Sequence, residues 1–405
     1  MTDYHPRELT SRLARAMRQL PVIVLSGLRQ TGKSTLLQHE SIFTQGHAYR
    51  TLDDYAILAA AQQNPESLLE GAVIFDEVQR CPGMLIALKQ SVDHDRRPGR
   101  YILSGSANLA LLSHVSESLA GRAGYFTLNP MTRRELHGAT DRQPFLVEFL
   151  QGTYAPRKVP PVSAREVLTG GLPPVGLGAD EETSEWFRGY VQTYVERDVR
   201  QLSQITDLVA FRTLAQLAAL RTGQVLVIST LARDAKLSAV TAGRYLDLLE
   251  TSFLIRRLPP FRNNRSSRLI KSPKLYFTDS GLAAHMAGIT TLEPGRDDLL
   301  RGSLFETYVA QNLAALLEAH LPDAQLTFWH EQGRYEVDFV IEMGHSVVAI
   351  EVKAATRWDA GDLAGLRAFL DRTPSCVAAV LAYNGTEAVK LDERLWVIPL
   401  GLLLD

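Results

Sequence analysis

Cysteine is scarce in this 405-residue chain: Cys81 and Cys376 are the only two, and neither has metal-ligand spacing. That excludes a disulfide-built fold and a cysteine-ligated zinc module, and it fits a reducing, cytoplasmic location. No apolar run approaches the length that spans a bilayer; stretches such as Val347 to Ile350 are strand-sized. The N-terminal stretch does not read as a signal peptide, because Arg12, Arg15 and Arg18 interrupt it. Leu9, Leu13, Met17 and Leu20 recur between them at helical spacing. This predicts an amphipathic surface helix, with a membrane-facing helix as the alternative, and no membrane partner is expected. A large net charge is also missing, at −2, so the whole chain carries no polyanion-binding signature. Internal repeats and low-complexity segments are absent as well.

What is there is an ordinary globular balance, 45% apolar and 22% charged, in a chain too long for one core. The first part alternates apolar strands (Val22 to Leu25, His47 to Leu52, Ala72 to Phe75, Tyr101 to Leu103) with helices such as Lys33 to His39 and Met84 to Val92. Such alternation predicts an α/β domain. Prolines 156, 160 and 161 break regular structure, and Gly170 to Gly178 forms a second loop before a long helix, Glu181 to Leu202. Past Pro294-Gly295 come a helix, Ser303 to Glu318, and strands Tyr335 to Ile341 and Val347 to Val352. A helix, Asp362 to Leu370, and two more strands close the chain. The resulting division is 1–150, 151–205, 206–290 and 291–405.

Gly27-Leu28-Arg29-Gln30-Thr31-Gly32-Lys33-Ser34, followed by Thr35, fits the P-loop pattern between an apolar strand and a helix. Its glycines let backbone N–H groups wrap phosphates, and the helix N-terminus adds a positive dipole end. Lys33 is expected at the β- and γ-phosphates of ATP, and Ser34 on Mg²⁺. The strand Ala72 to Phe75 ends in Asp76-Glu77, which places Asp76 at the metal and Glu77 at the attacking water. Ser106, with Asn108 second, follows another strand and is a candidate γ-phosphate sensor; a plain polar loop is the alternative. Arg122 is either a finger reaching a neighbouring subunit's nucleotide or a surface arginine.

Ser229 to Leu237 and Ser238 to Glu250 read as two helices joined by a tight turn. Val240, Tyr245, Leu248 and Leu249 are expected inward, Thr241 and Arg244 outward. Strands Phe253 to Leu258 and Lys274 to Phe277 would bracket a wing, making a winged helix. Arg256, Arg257, Arg262, Arg265, Arg268, Lys271 and Lys274 crowd this region, with Phe261, Tyr276 and Phe277 among them. Either these basic and aromatic groups hold DNA phosphates and bases, or they form a solvated basic loop.

Gly344-His345 is a two-residue hairpin turn that sets Asp338 opposite Glu351. Alternation puts Lys353 on the same face, with Val337, Phe339, Ile350 and Val352 on the other, in the core. Opposed carboxylates repel unless a cation sits between them, and a lysine two residues on can orient a water. Glu306 on the preceding helix offers a further metal ligand. A solvated hairpin face, with Lys353 neutralising one acid, is the alternative.

On these residues the chain resembles prokaryotic AAA-type ATPases whose P-loop domain precedes a C-terminal region of unknown function. The likeness rests on Gly27 to Thr35, Asp76-Glu77-Val78-Gln79, Leu103-Ser104-Gly105-Ser106, Gly121-Arg122 and Tyr194 to Asp198. It continues through Lys271-Ser272-Pro273-Lys274-Leu275-Tyr276-Phe277, Asp279-Ser280-Gly281-Leu282, Glu336-Val337-Asp338-Phe339 and Glu351-Val352-Lys353. The resemblance implies an α/β fold: a RecA-like P-loop AAA ATPase core, a helical lid, a winged helix and a restriction-endonuclease-like domain. Glu306, Asp338, Glu351 and Lys353 match the PD-(D/E)xK pattern of that last fold. The helix Asp362 to Leu370 departs from it by lacking the glutamine many active enzymes carry there. The implied function is ATP-driven DNA processing in a ring or head-to-tail oligomer. A translocase with an inactive nuclease-like platform and a nucleotide-switched regulator of a protein partner are the alternatives.

Overall fold

Val22–Ser26 (β1) is buried at every position, as a strand covered on both faces must be. Its neighbours are Tyr101–Gly105 (β4) and Ala123–Thr127 (β5), and His47–Thr51 (β2) and Ala72–Asp76 (β3) complete a parallel sheet of order β2-β3-β4-β1-β5. The computed structural model describes residues 4–106, 119–155, 157–178, 183–198, 205, 207–261, 272–293, 298–331 and 334–405. It forms two compact units. The first is Met1–Asn129 with the short segments Thr251–Phe253 and Glu318–His320, and the second is the rest.

In the first unit, period-2 alternation divides the core. Val22 and Val24 pack with Met84, Leu85, Leu88 and Val92 of Met84–His94 (α3). Ile23 and Leu25 face Leu36 and Leu37 of Lys33–His39 (α2), with Leu9 and Leu13 at Thr10–Met17 (α1). The N-terminal leucines therefore belong to this core, which removes the membrane-facing alternative. Strand β5 is absent from the sequence reading, because Ala-Gly-Tyr-Phe-Thr has neither an apolar run nor clean alternation. All five strands run the same way, so the ends of β1, β3 and β4 share one edge, where ligands bind in open α/β sheets.

In the second unit the predicted long helix runs as Thr183–Tyr190 and then widens into π turns over Val191–Asp198; 199–204 lie outside the described residues. Leu208–Ala219 (α4), Ile228–Asp234 (α5) and Ala239–Thr251 (α6) accompany a three-stranded sheet, Gln224–Val225 (β6), Lys274–Phe277 (β8) and Ile255–Leu258 (β7). Ala242, Tyr245, Leu246 and Leu249 form the buried stripe of α6. Val240 is expected inward but is 84% exposed, because it lies two residues, about 200°, from Ala242. Strand β8 is buried along its length as the central strand. Tyr276 and Phe277, read as partners for bases, are consequently core residues, and Phe261 is buried too.

Asp298–His320 (α7) precedes a six-stranded sheet of order β13-β14-β12-β11-β10-β9. Its strands are Gln325–Glu331 (β9), Tyr335–Met343 (β10), Ser346–Lys353 (β11), Cys376–Tyr383 (β12), Val389–Lys390 (β13) and Leu395–Pro399 (β14). Leu366 and Phe369 of Ala364–Arg372 (α8) pack on Val337, Val340, Val347 and Ala349. Val347 and Ala349 share the parity of Glu351, so that face also carries core, and the expected division into one apolar and one polar face does not hold.

Candidate functional site

Two constellations stand out, one in each unit. In the first, the loop between β1 and α2 turns through Gly27 at φ 154°, Gln30 at φ 67° and Gly32 at φ 90°. A Cβ on Gly27 would lie 2.3 Å from the Leu128 carbonyl oxygen, so glycine is required there by space. Lys33 Nζ donates to the carbonyls of Gly27 and Leu28, each at 2.9 Å. Burial lowers the Lys33 pKa to about 8, against the opposing pull of Glu77 and Asp76. Arg7 braces the loop by donating to Thr31 O at 2.6 Å and Asn129 O at 2.7 Å. Arg29, Gln30 and Thr35 are exposed, Thr31 is buried, and Gly32 and Ser34 are half-buried.

At the end of β3, Asp76 is buried and its Oδ2 accepts from Ser34 Oγ at 2.6 Å and from Tyr49 Oη at 2.5 Å. Burial, and then the bond to Asp76, raise the Tyr49 pKa above its ordinary value. Glu77 adopts a left-handed backbone, φ 56° and ψ 40°, which is uncommon for a non-glycine residue. There its Oε2 accepts from Gln79 Nε2 and, at 3.3 Å, from Ser106 Oγ; Gln79 also donates to Ser106 Oγ at 3.2 Å. Sequence reasoning gave Gln79 no role, although it lies inside the quoted Asp76-Glu77-Val78-Gln79, and it passed over Arg7 and Tyr49 entirely.

Arg122 lies beside the amino end of β1, with its carbonyl accepting from Val22 N at 3.3 Å, whereas the P-loop follows the carboxyl end. Its guanidinium grips Asp93 through Nε at 2.7 Å and Nη2 at 2.8 Å. Side-chain hydrogen bonding to Asp93 raises the Arg122 pKa and lowers that of Asp93. Asn108, together with Arg262, Arg265, Arg268 and Lys271, lies outside the described residues. Arg244 is exposed on α6, and Arg257 is tied to Glu250 and Asp247.

In the second unit the hairpin pairs Met343 with Ser346 and runs to Phe339 opposite Ile350, the expected register. A bulge between Val337 and Val340 disturbs the pairing with β9, while on the other edge Asp338 interlocks with β11. Asp338 N donates to Glu351 Oε2 at 3.3 Å, and Val352 N donates to Asp338 Oδ2 at 2.9 Å. Glu306, from α7, reaches the same place. The cation found there is Lys274, from β8. Its Nζ lies 2.9 Å from Glu306 Oε1 and 3.1 Å from Asp338 Oδ1, and it also pairs with Glu336. Lys274 is 2% exposed, and Tyr276 Oη donates to Glu306.

Burial, and next the Asp338 charge, push Glu306 and Glu351 above the usual carboxylate range, against the pull of Lys274. Burial works to lower the Lys274 pKa, but Glu306 and Asp338 outweigh it and raise it well above the ordinary value. Lys353, expected beside an attacking water, is ion-paired with Asp362. Among the described residues, no three His, Cys, Asp or Glu side chains are arranged to hold a metal ion. The predicted acids thus converge, but as they stand around Lys274 they do not fit a divalent cation.

A parallel β-sheet with a P-loop after β1 and Asp76-Glu77 after β3 defines an AAA-type P-loop ATPase. The AAA domain family model matches residues 19–137, a domain of unknown function (DUF8612) matches 161–293, and another (DUF4143) matches 301–403. An uncharacterized protein of Mycobacterium tuberculosis is 30% identical over 352 residues, covering 86% of this chain and 73% of that protein. The chain belongs to the family of that protein. An uncharacterized Haemophilus influenzae protein is 25% identical over 293 residues, covering 65% of this chain and 69% of its own. The Thermotoga maritima RuvB Holliday junction branch migration motor aligns over 63% of this chain and 90% of that one, with 16% identity and a TM-score of 0.30. That likeness is too distant to carry an argument. Among the described residues no helix is long and apolar enough to cross a membrane.

Proposed function

We propose that this ATPase turns over Mg·ATP to move or remodel DNA, which it grips through a winged helix, with the nuclease-like C-terminal domain as a platform. In the nucleotide site, Lys33 meets the β- and γ-phosphates while the N–H groups from Gly27 to Thr35 wrap them. The Ser34 hydroxyl and Asp76 carboxylate, already 2.6 Å apart, are the oxygen donors that suit Mg²⁺. The ion supplies charge neutralisation on the phosphoryl oxygens. Glu77, steered by Gln79 and Ser106, orients the attacking water, and Ser106 reads the γ-phosphate. Arg122 lies at the far end of its own sheet, so its action on a nucleotide is in trans, in a ring or head-to-tail array.

The DNA reading is carried by one observation. Helices α5 and α6 lead into strands β7 and β8, which bracket a segment containing Arg262, Arg265, Arg268 and Lys271, and α6 exposes Arg244. That order of elements is what a winged helix presents to a duplex. The test is ATP turnover with single-stranded, duplex and branched DNA, beside binding at several salt concentrations. Replacing Arg265, Arg268 and Lys271 together should weaken binding on every sequence and reduce the salt slope by up to about three. Val240, exposed one turn before Arg244, favours the other reading, a protein partner held on the same helix face. DNA-independent turnover and an unchanged salt slope would select it.

A further inference from the structure

Two of the acids expected to bind a metal, Glu306 and Asp338, meet an ammonium group instead, with Glu336 as the third. We infer that Glu306, Glu336 and Asp338 form a built-in receptor for the Lys274 ammonium, which joins strand β8 to the C-terminal sheet in place of a divalent metal. The geometry is that of a filled site. Lys274 carries three donors, and three carboxylates from two elements, α7 and β10, meet its Nζ. Its side chain is almost wholly out of solvent, where an ammonium persists only if it is paired.

The surroundings are built for the same purpose. Tyr276, two residues on and on the same face of β8, donates to Glu306. Gly223, at φ 77°, lets the turn before β6 pass Glu306, where a Cβ would lie 3.2 Å from Oε2. Its N–H donates to Leu275 O at 2.7 Å and ties that turn to β8. Lys353, the lysine expected beside the attacking water, is held by Asp362. The repulsion between Asp338 and Glu351 is relieved by backbone N–H groups and by Lys274. The joint links the segment matching DUF8612 to the one matching DUF4143, and its four residues all belong to the second unit.

The test is a double-mutant cycle on the full chain, reading thermal midpoints of wild type, Lys274→Met, Glu306→Gln and Lys274→Met/Glu306→Gln. Lys274→Met should lower the midpoint strongly, since it strands buried carboxylates. Adding Glu306→Gln should then recover part of the loss, because one of those charges goes with it. Losses that simply add would overturn the proposal. Should Lys274→Met fail to fold, the wild-type chain and Glu306→Gln decide the matter with MnCl₂ alone, without nucleotide. An unmoved wild-type midpoint supports a site filled by lysine. A Mn²⁺-dependent rise in wild type that Glu306→Gln abolishes would make it a metal centre. Neither readout depends on DNA or on ATP turnover, so this inference can fail while the proposed function stands.

Discussion

Ser34 Oγ stands 2.6 Å from Asp76 Oδ2, joining the first turn after the P-loop to the end of the acidic strand β3. The two residues are forty-two positions apart, and the parallel order β3-β4-β1 brings them together. This contact joins the P-loop helix and the acidic strand into one preformed arrangement.

Lys33→Ala should abolish ATP turnover, because the transferring phosphoryl group loses its main side-chain cation. Glu77→Gln should keep nucleotide binding and lower kcat by about 10²-fold or more, trapping the ATP state. Steady-state turnover beside fluorescent-nucleotide binding separates the two. Wild-type turnover in Glu77→Gln would remove the water-orienting role.

Tyr49 holds the same oxygen of Asp76 that Ser34 does, and so acts as a positioning residue. Tyr49→Phe should raise the Mg²⁺ concentration for half-maximal turnover by about 10-fold while leaving kcat at saturating Mg²⁺ nearly intact. An unchanged Mg²⁺ titration would reduce Tyr49 to a packing role.

Burial lowers the Lys33 pKa to about 8, which gives nucleotide affinity a pH dependence. Below that value the ammonium is already present and binding needs no proton. Above it, phosphate binding must draw a proton in, so ATP affinity should fall by up to about tenfold per pH unit. Titration calorimetry in buffers of different ionisation enthalpy should find proton uptake near one at high pH. Affinity that stays flat through this range, with no uptake, would contradict it.

Arg122 clasps Asp93 within its own chain, so trans action requires the pair to open in the assembly. Subunits carrying Arg122→Ala should be inactive alone, as should subunits carrying Lys33→Ala. Mixed, they should regain part of the turnover, because each supplies what the other lacks. A fully active Arg122→Ala protein would end the proposal.

Much of the first unit is legible in the sequence because its signals are local. The strand, glycine loop and helix from Val22 to His39 announce themselves by apolar run, glycine spacing and helical periodicity. The hairpin register at Gly344 also follows from alternation and turn length alone. Counting charge and aromaticity along the chain misplaced the residues of one strand. Lys274, Tyr276 and Phe277 looked like a nucleic-acid surface, and their burial in a central strand is a property of the sheet.

By itself the sequence determined the P-loop, the Asp76-Glu77 pair, most strands and the pairing of β10 with β11, since each depends on residues close together in the chain. Only tertiary structure decided that Lys274 meets Glu306 and Asp338, 32 and 64 residues away, that Tyr49 steadies Asp76, and that Arg122 is clasped by Asp93. A side chain's charge is written in the sequence. Whether that charge meets water, phosphate or a buried carboxylate is set by which distant elements pack against it, because desolvation and Coulomb attraction act between neighbours in space.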